Sequence, residues 1–225
     1  MKKNILFVVS SASVIGPNNR ATGNLLTEVA HPYQTFKAQG YNIDVFSVAG
    51  GDAPIDMVEL EDQMNQAFLN GEGAIAFKNT QSIDKIDVTK YDAVFVPGGL
   101  APVVDMPDDP IVQKILADMY DQGGVVSAVC HGPVALINVK LSDGSYLING
   151  KHVTGFSKAE EEHYAKVDVP FELEDALIDR GGKYSAAAEW QAHIVTDGRL
   201  VTGQNPASAT GVAESVINLL EPVQA

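Results

Sequence analysis

The chain has a single cysteine among 225 residues. No internal disulfide can form, which suits a reducing compartment, and a cytoplasmic protein is expected. Positive charge is also scarce, with 15 Lys and Arg against 29 Asp and Glu and a formal net charge of −14. Phosphates would be repelled, so neither nucleic acid nor an anionic membrane surface is expected as a partner. No apolar run is long enough for a membrane span. Met1-Lys2-Lys3 followed by Ile5 to Val9 has the outline of a secretory signal. That run is short, however, and passes into Ser10-Ser11 without a cleavage site, so it reads as a first buried strand. The five histidines, His31, His131, His152, His163 and His193, lack the short paired spacing of a metal site, and no metal is expected. A glycine loop followed by Lys-Ser/Thr is missing as well, which argues against nucleotide hydrolysis. No cofactor of any kind is expected.

What remains is an ordinary globular composition, 45% hydrophobic and 20% charged. Residues 1–225 are expected to form one α/β domain large enough to bury a full core. Its strands read as short apolar runs: Asn4 to Ser10, Asn42 to Val48, Tyr91 to Val96 and Val125 to Val129. Such runs suit strands buried on both faces of a parallel sheet. The stretch Gly23 to Pro32 is expected to lead into a helix that runs to about Gln39, and further helices are expected from Met57 to Leu69, from Pro110 to Gln122, from Phe171 to Arg180, and from the Pro206 region to Leu220. Pro32 either starts or kinks the first of these. Tyr146 to Thr154 reads as a hairpin turning at Asn149-Gly150, and two further strands turn at Asp197-Gly198.

The stretch Gly123 to Leu136 organises the chain. The apolar run Val125 to Val129 ends at Cys130-His131-Gly132-Pro133, and a helix is expected to open on Pro133. A nucleophile on such a strand-turn-helix is presented at the carboxyl end of the sheet. The helix start would favour thiolate over thiol. A lone cysteine is often just a small buried hydrophobe. The adjacent imidazole, the Gly-Pro punctuation and the strand end favour the nucleophile.

Ala128-Val129-Cys130-His131-Gly132-Pro133 resembles the nucleophile elbow of the ThiJ/PfpI superfamily, relatives of the class I glutamine amidotransferases. The resemblance runs nearly end to end and points to the glyoxalase III and heat-shock chaperone branch. It implies a doubly wound, flavodoxin-like, mostly parallel sheet with helices on both faces. Glu28-Val29-Ala30-His31-Pro32 matches the branch segment whose glutamate lies against the cysteine. Pro97-Gly98-Gly99 matches the strand end that, with the amide of His131, forms the oxyanion site. By residue type alone these would be an exposed helix-start acid and a turn.

After Gly155-Phe156 the branch places an acid that holds the imidazole, which by resemblance is Glu161, with Glu160 and Glu162 as neighbouring alternatives. Trp190 and Asn205, the latter in Gly203-Gln204-Asn205-Pro206-Ala207-Ser208, match pocket positions. One departure is Leu100-Ala101-Pro102, where many branch members have His-Gly. No His-x-Glu occurs, so the imidazole of a distant class I triad is missing and His131 must serve.

The resemblance implies a cofactor-independent lyase, most often a homodimer. It would convert methylglyoxal and related 2-oxoaldehydes to 2-hydroxy acids through a Cys130 hemithioacetal, with His131 or Glu28 as base. A holding chaperone, a protein deglycase, a redox sensor and a PfpI-like cysteine peptidase or amidase remain open as alternatives.

Overall fold

The computed structural model describes residues 2–221. Apolar runs at four places become the inner strands of one sheet: β1 (Asn4–Val9), β2 (Asn42–Ser47), β4 (Ala93–Val96) and β5 (Val125–Val129). Gln81–Ser82 (β3), Ile194–Asp197 (β6) and Leu200–Gly203 (β7) complete seven strands in the order β6-β7-β5-β4-β1-β2-β3. Every neighbouring pair is parallel except the hairpin β6–β7, which turns through Gly198 at φ 62°. The expected mostly parallel, doubly wound sheet is therefore present.

The chain runs outward from β1 to β2 and β3, then returns to the other side of β1 to place β4, β5 and β7. Such a reversal opens a crevice at the carboxyl ends of the strands. Helix α1 (Leu26–Ala38) and the last helix, α8 (Ala209–Leu220), pack on each other over one face. Helix α5 (Pro110–Asp121) connects β4 to β5 in the opposite sheet direction, so the right-handed crossover rule puts it on the other face. It is capped by Asp109, whose carboxylate accepts from the Ile111 and Val112 amides. Phe7, Phe36 and Phe95 meet in the core between β1, β4 and α1, with the Phe7 and Phe95 rings 5.0 Å apart.

Several expectations need correction. Pro32 does not start α1 but lies inside it. A proline cannot donate to the carbonyl four residues earlier, so the ladder is open at Glu28. The stretch read as one helix from Met57 to Leu69 is helical only as α2 (Gln63–Leu69), capped by Asp62, and a second helix, α3 (Glu72–Lys78), follows. Residues 57–62 are irregular because Met57 takes φ 50° and Asp62 ends the run as a cap. The hairpin at Asn149-Gly150 is not formed. His152–Val153 pairs in parallel with Lys183–Tyr184 instead, a non-local partner that local turn chemistry could not reveal. Short helices α4 (Ala101–Asp105), α6 (Lys158–Tyr164) and α7 (Leu173–Asp179) cover the carboxyl end of the sheet and its flank. Among the described residues, no helix is long and apolar enough to cross a membrane.

Candidate active site

A strained backbone position sits at the end of β5. Cys130 has φ 60°, a left-handed conformation uncommon outside glycine. Its amide donates to the Gly203 carbonyl at 2.9 Å, and its carbonyl accepts from Phe156 at 2.8 Å. The turn is thus held from β7 on one side and from the Gly155-Phe156 segment on the other. Gly132-Pro133 follows as predicted, but Gly132–Leu136 is a short 3-10 turn and not the expected α-helix. Gly132 is required there because a Cβ would overlap the Val96 carbonyl and stand 3.0 Å from that of Pro97.

The first turn of α1 delivers Glu28 to the same place. Leu25 caps that helix and ties it to the neighbouring strand end by donating to the Gly98 carbonyl at 3.2 Å. Glu28 is wholly buried, and neither carboxyl oxygen has a partner at proper hydrogen-bond geometry. Burial pushes its pKa up to about 8, and the Cys130 thiol and the amides of Gly98 and Gly99 offset only part of that rise. Gly98 is wedged between the two groups. A Cβ there would overlap Glu28 Oε2 and lie 2.8 Å from the Cys130 Cβ.

Burial also pushes the Cys130 thiol up, and the charge of Glu28 adds to it, while the amides of Gly99 and His131 pull the other way. The expected thiolate-favouring helix start is therefore overruled. A one-turn 3-10 segment contributes little dipole, and desolvation dominates. A proton on Glu28 removes the repulsive part of this effect and leaves an acid beside the sulfur.

On the other side of the sulfur, His131 Nδ1 lies 3.5 Å from Cys130 Sγ, and His131 Nε2 lies 2.7 Å from Glu161 Oε2. A carboxylate only accepts, so Nε2 carries the hydrogen in this pair and Nδ1 is left to face the sulfur. Both side chains are almost fully buried, and Glu161 Oε1 has no partner. The acidic run at the start of α6 thus resolves into three different fates. Glu161 meets the imidazole, Glu162 is exposed, and Glu160 turns into a separate buried network.

That network engages Trp190 and Asn205. Glu160 forms a capping box with Ser157. Its Oε1 accepts from the Trp190 amide and the Asn205 side chain, both at 2.8 Å, and its Oε2 accepts from Gln204 at 3.0 Å. Burial alone would raise this carboxyl, but the donors from Asn205, Trp190 and Ser157 outweigh it and hold its pKa below the usual value. Asn205 is fully buried, with its amide spent on Glu160 and the Gln191 carbonyl. Both contacts tie the loop before α8 to α6 and to the segment that carries Trp190. Trp190, at φ 62° and 47% exposed, stands over Phe156 and Tyr164 with ring centroids 5.7 and 6.4 Å away. Tyr164 was not singled out from the sequence. It lies three residues beyond Glu161 and so shares that residue's face of α6.

Leu100-Ala101-Pro102 opens α4, and Leu100 and Ala101 are buried. The departure from His-Gly thus puts apolar packing beside the Gly99 turn. Among the described residues, no group of three or more His, Cys, Asp and Glu side chains is arranged to hold a metal ion.

The DJ-1/PfpI family profile matches residues 21–219. Glyoxalase 3 of Candida albicans is 33% identical over 98% of this chain and 99% of its own length. The Saccharomyces cerevisiae protein named glutathione-independent glyoxalase HSP31 is also 33% identical, covering 98% of both chains. The X-ray structure of the Francisella tularensis Rapid Encystment Protein 24 KDa superposes with a TM-score of 0.93 at 40% identity, over 97% of this chain and 99% of that one. With the parallel sheet, the elbow and these end-to-end similarities, the chain belongs to the DJ-1/PfpI family.

Proposed function

We propose that the protein is a glutathione-independent glyoxalase that converts methylglyoxal and related 2-oxoaldehydes to 2-hydroxy acids. The observation that carries this reading is the placement of Cys130 between two proton-handling groups. His131 Nδ1 is 3.5 Å from the sulfur, and Glu28, with its pKa pushed up to about 8, lies on the other side. The similarity to two proteins named as glyoxalases supports the choice of substrate class.

In this mechanism His131 takes the thiol proton through Nδ1, held in the right tautomer by Glu161. The sulfur adds to the aldehyde carbon, and its π electrons move onto the aldehyde oxygen, which the amides of Gly99 and His131 stabilise. The hydrogen on that carbon is then removed as a proton, giving an enediol, and a proton is returned to the neighbouring carbon. Glu28 suits this transfer because a carboxyl with a pKa near the working pH both gives and takes a proton readily. The product of the shift is a 2-hydroxy thioester. Water cleaves it, releasing the 2-hydroxy acid and restoring the thiol. The sum is one oxoaldehyde plus one water, with no external oxidant or thiol.

The test is lactate formation from methylglyoxal without glutathione by the wild type, Cys130→Ser and Glu28→Gln. Turnover in the wild type that disappears in Cys130→Ser and drops by about two orders of magnitude or more in Glu28→Gln is expected. Retained turnover in Cys130→Ser would refute the thiolate route.

A further inference from the structure

A 2-oxoaldehyde has two carbonyl oxygens, and the groups described so far hold only the one on the carbon under attack. We infer that the Tyr164 hydroxyl is the donor that holds the second, the ketone oxygen, and so selects 2-oxoaldehydes over simple aldehydes. The inference rests on the glyoxalase reading above and deepens it.

Four observations carry it. Tyr164 ends α6 one turn beyond Glu161, and its ring lies 6.4 Å from the His131 ring and 5.6 Å from that of Phe156. It therefore forms part of the aromatic cluster around the imidazole that faces the reacting sulfur. The ring is fixed in place: the Arg20 guanidinium stacks over it at 5.0 Å, donates to the Tyr164 carbonyl at 3.2 Å and is itself anchored on Asp168 at 3.0 Å. The hydroxyl, by contrast, is poorly committed. Its hydrogen-bond acceptor is the Met57 thioether at 3.4 Å, a weak acceptor that a carbonyl oxygen would readily replace. Finally, burial and then the charge of Cys130 push its pKa up to about 12, with Arg20 opposing. The hydroxyl stays protonated at working pH and is close enough to the sulfur to feel its charge. A hydrogen bond to the ketone oxygen gains strength as negative charge moves onto that oxygen in the enediol, which is how a donor accelerates the step without moving a proton. The same donor gains nothing from an aldehyde that lacks a second carbonyl.

The test compares wild type, Tyr164→Phe and Met57→Leu. Lactate formation from methylglyoxal is read alongside the protection of Cys130 against iodoacetamide by methylglyoxal and by propanal, which lacks the ketone. Tyr164→Phe is expected to cut kcat/KM about 10- to 100-fold and to weaken protection by methylglyoxal about tenfold. Protection by propanal, the alkylation rate without ligand and the melting temperature should stay as in the wild type, and Met57→Leu should behave as the wild type throughout. Equal weakening for both aldehydes, or loss of function in Met57→Leu matching that in Tyr164→Phe, would reduce Tyr164 to a wall or clasp and overturn the inference. A wild type without turnover would defeat the glyoxalase reading alone, and the protection ratios would still decide the role of Tyr164. Failure of either aldehyde to protect the wild-type thiol would defeat both.

Discussion

His131 Nε2 and Glu161 Oε2 are 2.7 Å apart in an almost fully enclosed setting, while Glu160, one residue earlier, accepts hydrogen bonds from Ser157, Trp190, Gln204 and Asn205. Adjacent acids on one helix turn therefore have separable jobs. Replacing Glu161 by Gln keeps the shape but lets an amide donate to Nε2, which forces the hydrogen onto Nδ1 and blocks uptake of the thiol proton. Glyoxalase turnover should fall by about two to four orders of magnitude, with a stability loss of only about 1–3 kcal/mol. Steady-state kinetics and urea unfolding of the same preparation check this. A variant that kept near-wild-type kcat would show that Glu161 does not set the tautomer.

Glu160 makes the opposite prediction. Removing a buried carboxylate that satisfies several donors leaves those donors unpaired, so Glu160→Ala should cost about 3–5 kcal/mol. Trp190 is the only tryptophan, and its amide is one of the abandoned donors. Its emission should shift to the red as the loop loosens, well below the melting temperature. An unchanged spectrum in the folded variant would mean that the loop is held elsewhere.

Glu28 links stability to pH. Its folded pKa of about 8 lies well above the ordinary glutamate value of 4.5. Between those values the unfolded chain has lost the proton that the folded protein keeps, so folding takes up a proton and stability falls as pH rises. The contribution is complete below pH 4.5 and lost on passing pH 8. Glu28→Gln lacks this titration. Its stability relative to the wild type should improve by roughly 1.4 kcal/mol per pH unit across that window. Denaturant unfolding at pH 5.5, about 6.5 and about 7.5 tests it, and parallel pH curves for the two proteins would contradict the raised carboxyl.

Gly98 has no space for a side chain. A Cβ would lie 2.7 Å from the Val129 carbonyl and 2.8 Å from the Cys130 Cβ, besides striking Glu28. Gly98→Ala should destabilise by about 1–3 kcal/mol and separate the carboxyl from the sulfur. Lactate formation should drop by more than the loss of folded protein explains. Full activity per folded molecule would show that the Cys130–Glu28 spacing is not critical.

Much of this was readable in the residues themselves. Val125 to Val129 has the apolar continuity of a doubly covered strand, and Cys130-His131-Gly132-Pro133 has the punctuation of a turn. The Glu28–Cys130 meeting depends on a long-range pairing, since Leu25 must bond Gly98, and only the family resemblance indicated it. The choice between Glu160 and Glu161 has a local sign in the sequence. Ser157 followed three residues later by Glu160 is a capping box, which commits Glu160 and leaves Glu161 for the imidazole. The thiol's energetics are not legible in the sequence, because desolvation depends on how completely the chain closes over the sulfur, which no local pattern encodes. The interval from Met57 to Lys78 was resolved only by tertiary contacts, as its two short helices carry too few apolar positions for a clear period.

The left-handed backbone at Cys130 also restricts the chemical alphabet of the site. At φ 60° a β-branched side chain collides with its own main chain, whereas an unbranched one is tolerated at a modest cost. The elbow can exchange its sulfur for the oxygen of serine and still fold, but threonine is barred by the shape of the turn, whatever its reactivity. The repertoire of nucleophiles open to this scaffold is therefore set by backbone geometry before any question of pKa or substrate arises.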